Sequence, residues 1–99
     1  MMPKKRPTLP GDFIKEDILN EFELTQEQLA DELGVSRRTI NELVKGKRRI
    51  TADMALRLGK FTKTNPEVWM NLQNIVDLWD VAHSKSNAKF LRQIQPCVA

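Results

Sequence analysis

The amino-acid sequence predicts an all-α fold with five helices and a helix-turn-helix unit at its centre. Apolar residues recur mainly at the three- and four-residue spacing of helices, and alternating β-branched segments are few. Residues that begin or end helices stand at intervals along the chain. A length of 99 residues, of which 40% are hydrophobic, is enough for one small helical domain with short tails.

The helix-turn-helix unit is predicted over residues 25–44. Thr25 and Gln28 fit a capping box at the start of its first helix. Gly34 follows the last apolar residue of this helix, at a position that favours a positive φ. Ser36 is a suitable N-cap for the second helix. The apolar residues expected to join the two helices are Leu29, Ala30 and Leu33 in the first and Ile40, Leu43 and Val44 in the second.

The outward face of the second helix is polar and basic. Six cations and a single acid, Glu42, lie between Arg37 and Arg49. Such a cluster is typical of a phosphate-binding surface, although similar helix pairs also occur in ordinary bundles. The helix caps, the glycine at the turn and the cationic face all occur at the positions that a helix-turn-helix requires. Their combination favours DNA binding over two core helices of an ordinary bundle. The outward residues predicted to contact DNA are Arg37, Arg38, Asn41 and Lys45 on the helix, with Lys47 and Arg48 in the turn that follows.

The helix-turn-helix lies within a predicted domain of residues 9–82. Residues 1–8 form a basic tail, expected to be flexible, which either enters a DNA minor groove or remains solvated. The first helix is expected from Asp12 to about Phe22. Residues 12–32 carry eight acidic residues against one lysine, and this acidic surface is either a protein-binding surface or an ordinary solvated one.

The fourth helix is expected from Thr51 to about Lys63, and the fifth over residues 66–82, after the N-cap Asn65. The fifth helix is apolar on two sides, and such a helix must bury its second side somewhere. We therefore predict that it mediates dimerisation. The alternative is that residues 83–99, an extension with one short helix, fold back over it. The inner stripe is expected to comprise Val68, Trp69, Leu72, Ile75, Val76 and Trp79, and the dimer interface Met70, Leu78 and Val81.

The sequence contains no pattern typical of a catalytic, metal or cofactor site. Its one histidine and one cysteine, His83 and Cys97, have no second soft ligand nearby in sequence. Glycine-rich phosphate loops and nucleophile motifs are lacking. A single cysteine, no signal peptide and no apolar run of roughly 18 residues favour the cytoplasm over secretion or a membrane. We expect neither an enzyme nor a bound cofactor.

Several blocks of the sequence resemble a known family. The stretch TQEQLADELGVSRRTINELVKGKRRIT resembles the Cro and phage-repressor class of helix-turn-helix domains, the XRE class. Together with LPGDFIKEDI, INELVKGKRRITADMALRLGKF and NPEVWMNLQ, it is similar to the HigA family of antitoxins over Leu9 to Ala82. The resemblance implies a phage-repressor-like domain in a bacterial antitoxin that pairs with a small basic HigB toxin, an mRNA-cleaving ribonuclease. It also implies a homodimer that represses its own operon.

The resemblance adds residues to the predicted DNA-binding site. It places Gln26 at the start of the first helix of the unit, against phosphate or a base-contacting side chain. It places Ser36, Arg37, Arg38 and Thr39 at the groove. A dimer of this class holds two recognition helices about 34 Å apart and so reads an inverted repeat in operator DNA.

The surface that contacts the toxin is predicted from charge alone. Glu16 and Asp17 lie on the acidic first helix and would attract a basic protein. Two alternatives to a HigA-like antitoxin remain open. One is a stand-alone Cro-like repressor without a toxin partner, and the other is a toxin-binding protein whose DNA-binding role is secondary or lost.

Overall fold

The structure is a computed structural model that describes residues 3–98, so Met1, Met2 and Ala99 lie outside the described part of the predicted tails. Regular secondary structure within this range is entirely helical, which confirms the predicted all-α class. The helices in chain order are α1 (Pro10–Phe13), a π-helical segment (Ile14–Asn20), α2 (Gln26–Leu33), α3 (Arg37–Val44), α4 (Ala52–Thr62), α5 (Pro66–Ala82) and α6 (Lys85–Gln93). Helices α2 and α3 form the helix-turn-helix, and α4 packs against both α2 and α5.

The first helical region differs from the prediction in its bounds and in its type. It begins at Pro10 rather than Asp12, because proline fixes φ at a helical value and its missing N–H is not needed at a helix start. It continues as a π-helix to Asn20, and Phe22 lies in the turn that follows. The predicted helix is present, but both its ends lie closer to the N-terminus.

The start of α1 packs directly on the backbone of α3. Gly11 is buried, and a Cβ atom at this position would lie 2.0 Å from the carbonyl oxygen of Leu43. No side chain fits in that space, so this close approach requires glycine. The contact sets the first helical region against the end of the helix that carries the basic face.

The helix-turn-helix has the local geometry that its sequence predicts. Thr25 Oγ1 accepts a hydrogen bond from the Gln28 N–H at 3.1 Å, and Gln28 Oε1 accepts one from the Thr25 N–H at 2.9 Å. Gly34 has a φ of 71° at the turn. Ser36 caps α3 by accepting a hydrogen bond from the Thr39 N–H. Of the residues expected to join the two helices, Val44 is partly buried and the other five are buried: Leu29, Ala30, Leu33, Ile40 and Leu43.

One buried polar side chain ties α5 to the turn after α3. Gln73 Oε1 accepts a hydrogen bond from the Ile50 N–H at 2.8 Å, and Gln73 Nε2 donates one to Asp77 Oδ1 at 2.9 Å. Ile50 is itself buried in the core beside α4. The basic turn is therefore anchored at its end by both the core and α5.

The two faces of α5 are only partly those predicted. Trp69 and Val76 are buried as expected, but Val68 and Ile75 are 48% and 49% exposed. Because residues seven positions apart lie on one face of a helix, these two share a side that points away from the core. Met70, predicted at a dimer interface, packs in part against the core of its own chain, and its place at an interface stays a prediction.

The exposed side of α5 ends in Leu78 and Val81, which are 61% and 53% exposed. Helix α6 follows directly and has no buried residue. The alternative in which the extension covers α5 is therefore not what the structure adopts, since α6 leaves both side chains exposed. The dimer interface itself stays a prediction.

No helix within residues 3–98 combines the length and the hydrophobicity that spanning a membrane requires.

Candidate DNA-binding surface

The solvent-facing side of α3 gathers three of the predicted groove residues. Arg37, Arg38 and Asn41 line one shallow depression of the surface, and the Arg38 side chain is 87% exposed. They project together because residues three and four positions apart share a face of a helix. Two guanidinium groups and one amide are suited to the edges of guanine and adenine in a major groove.

Gln26 and Asn41 meet across the helix-turn-helix. Asn41 Nδ2 donates a hydrogen bond to Gln26 Oε1 at 3.1 Å, which joins the start of α2 to the middle of α3. This bond leaves one amide N–H and the carbonyl oxygen of Asn41 for a ligand. That pair matches the N7 acceptor and the N6 donor of adenine, so Gln26 orients the Asn41 amide that can contact a base.

Ser36 and Thr39 hold the start of α3. Ser36 Oγ accepts a hydrogen bond from the Thr39 N–H at 3.1 Å, and the two hydroxyl oxygens lie 2.9 Å apart. Both are predicted groove residues, and the structure gives them a capping role. Their contact with DNA stays a prediction.

Glu42 holds two of the predicted DNA-binding arginines. Its Oε1 accepts a hydrogen bond from Arg38 Nε at 2.8 Å, and its Oε2 lies 3.5 Å from Arg48 Nη2. The hydrogen bond from Arg38 lowers the pKa of Glu42 below its ordinary value, and the charge of Arg48 adds to the effect. Glu42 is missing from the predicted site. Its position four residues after Arg38 is the signal that could have identified the pair.

The cations near the end of α3 differ in their partners. Arg49 pairs with Asp77 of α5, and the hydrogen bond from Arg49 lowers the pKa of Asp77. Within residues 3–98, neither Lys45 nor Lys47 forms an ion pair, and both are exposed. These two lysines are therefore the cations of this region that can bind phosphate without first breaking a salt bridge.

Residues 3–6 of the tail, expected to be flexible, are attached to α5. Arg6 Nε and Nη2 donate hydrogen bonds to the two carboxylate oxygens of Asp80 at 2.8 and 2.7 Å. Trp79 Nε1 donates one to the Pro3 carbonyl oxygen at 2.9 Å. Arg6 and Lys47 line the same cavity of about 260 Å³. The tail thus places Arg6, paired with Asp80, beside the basic turn. Sequence reasoning missed this contact because its partners lie 74 residues apart.

The acidic residues predicted to contact a toxin are exposed on the π-helical segment. Glu16 accepts a hydrogen bond from Asn20 Nδ2 at 3.2 Å. Asp17 lies at the edge of an apolar groove of about 430 Å³, beside Phe13 and Phe22. Asp17 therefore borders a larger apolar surface that the charge pattern alone did not indicate. The contact of both carboxylates with a toxin stays a prediction.

The lone histidine and cysteine lie near the C-terminal end. The His83 ring stacks on Trp79 with the ring centroids 3.9 Å apart, and Cys97 is an exposed free thiol. In the part of the chain that the structure describes, no three His, Cys, Asp or Glu side chains are grouped to hold a metal ion.

Comparisons with known proteins give this surface its context. The helix-turn-helix family matches residues 14–69. An uncharacterized HTH-type transcriptional regulator of Haemophilus influenzae is 37% identical over 97 residues, covering 98% of this chain and 91% of that protein. Antitoxin HigA-1 of Vibrio cholerae is 35% identical over 92 residues, covering 92% of this chain and 87% of the antitoxin.

A solved structure extends the similarity to the fold. The Pseudomonas aeruginosa antitoxin HigA, solved with the higBA promoter, superposes with a TM-score of 0.85 at 37% identity, covering 94% of this chain and 100% of that chain. The resemblance to HigA antitoxins is thereby confirmed in sequence and in fold. The chain belongs to the helix-turn-helix family of DNA-binding regulators and, within it, to the group that includes the HigA antitoxins.

Proposed function

We propose that this protein is a HigA-like antitoxin that binds operator DNA as a homodimer, represses its own operon and neutralises a HigB-type mRNA-cleaving ribonuclease. The grouping of Arg37, Arg38 and Asn41 on the outer face of α3 is the observation that carries the DNA-binding part. The antitoxin part is supported by the Vibrio and Pseudomonas relatives, which match over most of the chain. Both activities belong in the bacterial cytoplasm, and neither needs a cofactor.

In the proposed complex, α3 enters the major groove with its exposed face toward the bases. The terminal nitrogens of Arg38 can donate to guanine O6 and N7, and the Asn41 amide, oriented by Gln26, can pair with adenine. Lys45 and Lys47 neutralise phosphates at the edge of the groove. Release of the counterions on those phosphates gives affinity that does not depend on sequence.

The proposed homodimer suits an operator that is an inverted repeat. A two-fold pair presents two α3 helices about 34 Å apart, one turn of B-DNA, so that each reads one half-site. Leu78 and Val81 supply an exposed apolar surface on α5 for the second copy.

The proposed toxin contact rests on charge. Glu16 and Asp17 are exposed on the π-helical segment, where an acidic surface attracts a basic ribonuclease and orients its approach. The basic face of α3 repels the same partner, so the two activities are assigned to different surfaces.

The test is a titration of the protein against its own promoter DNA, with and without the product of the adjacent open reading frame. We expect retardation of the promoter fragment but not of a scrambled sequence of equal length. We also expect the two proteins to copurify and the ribonuclease to lose activity. Promoter binding without capture of the neighbour would identify a stand-alone Cro-like repressor. Capture and inhibition without promoter binding would identify a toxin-binding protein that has no DNA role.

A further inference from the structure

An apolar groove lies at the start of α5, between the π-helical segment and the connection from α4. At its rim Phe22 is 56% exposed and packs edge-to-face on Phe61, with ring centroids 6.3 Å apart. An exposed apolar surface rimmed by charge, here Asp17, is typical of a binding site for another segment. The apolar residues that line the groove are Phe13, Ile18, Phe22, Val68, Trp69 and Leu72.

A helix with an uncovered apolar side lies at the other end of α5. Helix α6 has nine residues, none of them buried. Phe90 and Leu91, with Ile94 at its C-cap, lie on one side of it and are 61%, 46% and 69% exposed, while its cations lie on the other side. An isolated helix of this length is marginal in water, so burial of the apolar side would stabilise it.

The groove is out of reach of the chain's own α6. Helix α5 has 17 residues, which makes it about 25 Å long, and the groove lies at its start whereas α6 follows its end. A second copy removes this obstacle. When two α5 helices pack antiparallel about a two-fold axis, the start of each lies beside the end of its partner.

The charges near the two surfaces are complementary. Residues 81–99 carry three cations and no acidic residue, whereas residues 12–23, of which Phe13, Asp17, Ile18 and Phe22 line the groove, carry five acidic residues and one lysine. In an antiparallel pair these oppositely charged regions of the two chains face each other, which favours that arrangement over a parallel one.

The large apolar residues exposed on α5 are few for a dimer interface. A stable interface buries about 800 Å² per partner and involves roughly 20–30 residues a side. The large apolar residues exposed on α5 are four: Val68, Ile75, Leu78 and Val81. The groove and α6 are the additional apolar surfaces that such an interface needs.

From these observations we propose that α6 of a second copy docks its Phe90, Leu91 and Ile94 side into the groove. Each dimer then contains two such contacts, one at either end of the paired α5 helices. The inference rests on the proposed homodimer and specifies which segments meet in it.

The native cysteine provides a direct test on the full chain. Cys97 is exposed, three residues beyond Ile94. Chains that carry a nitroxide on Cys97 are mixed with nitrogen-15-labelled Cys97→Ser chains, so that only contacts between chains are detected. We expect the amide signals of Thr62, Thr64 and Val68 in the isotope-labelled chains to lose intensity relative to a diamagnetic label. Undiminished signals from these three residues would overturn the proposal.

Matched substitutions provide an independent measure. Phe90→Glu and Leu56→Glu each place a charge at a residue that is 61% exposed in the single chain, but only Phe90 lies on α6. We expect Phe90→Glu to raise the dissociation constant of the dimer about tenfold or more in sedimentation equilibrium, because its carboxylate would enter an apolar groove. Val68→Glu, on the groove side, should act alike, and Leu56→Glu should have no effect. Equal dissociation constants for all three variants would refute the docking.

Titration of promoter DNA separates this inference from the proposed function. A dimeric protein that retards its promoter, yet shows no effect of the nitroxide at the groove, refutes only the docking of α6. A monomeric protein that leaves the promoter unretarded refutes the homodimeric repressor as well.

Discussion

Arg38 and Glu42 form the residue pair on which base recognition is expected to depend. Glu42 engages Arg38 through Nε, which leaves the two terminal nitrogens of the guanidinium for O6 and N7 of guanine. A side chain that is already held in place loses less conformational entropy when it binds. Glu42 therefore positions Arg38 and at the same time cancels part of its charge.

Arg38→Ala should weaken operator binding by about 1–3 kcal/mol and relax the choice of base at one position of each half-site. The physical reason is the loss of two donors to a base edge. Fluorescence-anisotropy titrations of the operator and of its single-base variants measure both effects. Lys60→Ala, which removes a cation from α4, is the control. Undiminished affinity in the Arg38 variant would exclude this arginine from the groove.

Glu42→Gln removes the charge of the residue but keeps its size. Arg38 and Arg48 then present their full charge to phosphates, so affinity for non-specific DNA should rise and the ratio of operator to non-specific affinity should fall. The dependence of log K on log salt should steepen by about one. Titrations over a salt series test this, with Glu32→Gln as a control acid that pairs with neither arginine. A salt slope and affinity ratio equal to those of the unmodified protein would contradict the claim that Glu42 cancels part of the charge of the two arginines.

Among the helices, those with ends fixed by neighbouring residues were predictable from the sequence. The caps at Thr25, Ser36, Thr51 and Asn65 all form, because each needs only a side-chain oxygen and a backbone N–H two or three residues away. The exposed cluster on α3 was predictable for the same reason, since spacing within one helix decides which side chains project together.

Features that depend on distant contacts were not predictable. The π-helical bonding of residues 14–20 has no side-chain signature in the sequence. The orientation of α5 depends on its packing against α4, and apolar residues on most of its sides leave several orientations open, so Val68 and Ile75 were misplaced. The contact between Arg6 and Asp80 joins the two ends of the domain and leaves no local pattern.

Replacing Gln73 with Leu should remove the hydrogen bond that joins helix α5 to the end of the basic turn. The Ile50 N–H would then be buried without an acceptor, so we expect the free energy of unfolding to fall by about 1–3 kcal/mol. Urea denaturation followed by far-ultraviolet circular dichroism gives this quantity. Lys60→Leu, at an exposed side chain of α4 away from the proposed dimer surface, is the control. An equal free energy of unfolding in the Gln73 variant and the unmodified protein would show that the bond contributes nothing.

At the scale of the whole molecule, two ion pairs join the tail and the basic turn to α5. The hydrogen bond from Arg6 lowers the pKa of Asp80, and that from Arg49 lowers the pKa of Asp77. Because these pKa values are lower in the folded state than in the unfolded state, each pair is stabilising above the ordinary carboxylate pKa. Its contribution is lost as the pH falls through the lowered value.

Acid should therefore release the tail. As the pH falls below about 3.9, the ordinary pKa of aspartate, and on through the lowered value, Asp80 becomes protonated and Arg6 loses its partner. The bond from the Trp79 indole N–H to Pro3 should break with it, which an NMR titration of the indole signal detects. In the Asp80→Asn variant, the indole signal should show at neutral pH the chemical shift that the unmodified protein reaches only in acid. An indole signal that does not respond to either change would show that Arg6 does not hold the tail.

The two proposed activities occupy separate surfaces, so they should be separable by mutation. Replacing both Glu16 and Asp17 with Lys should weaken capture of the basic ribonuclease by about tenfold or more, because attraction becomes repulsion. Operator affinity should fall less than capture of the ribonuclease, because Asp17 borders the groove proposed for the second copy whereas neither residue lies on α3. Pull-down of the toxin and promoter titration measure the two effects, and the same charge reversal at Glu32 and Glu67 is the control. Full neutralisation of the toxin by the first variant would place its binding surface elsewhere.

The contact between Gly11 and Leu43 has a genetic consequence. A side chain at position 11 would meet a backbone carbonyl, which cannot rotate away, so α1 would have to move off α3. A selection for mutants that no longer silence the promoter should therefore recover substitutions of Gly11 alongside those of the α3 arginines. Purified Gly11 mutants would bind all DNA sequences less well, whereas the arginine mutants would discriminate less between the operator and other sequences. The pattern of alleles would thus distinguish residues that read DNA from a residue that only holds the reading helix in place.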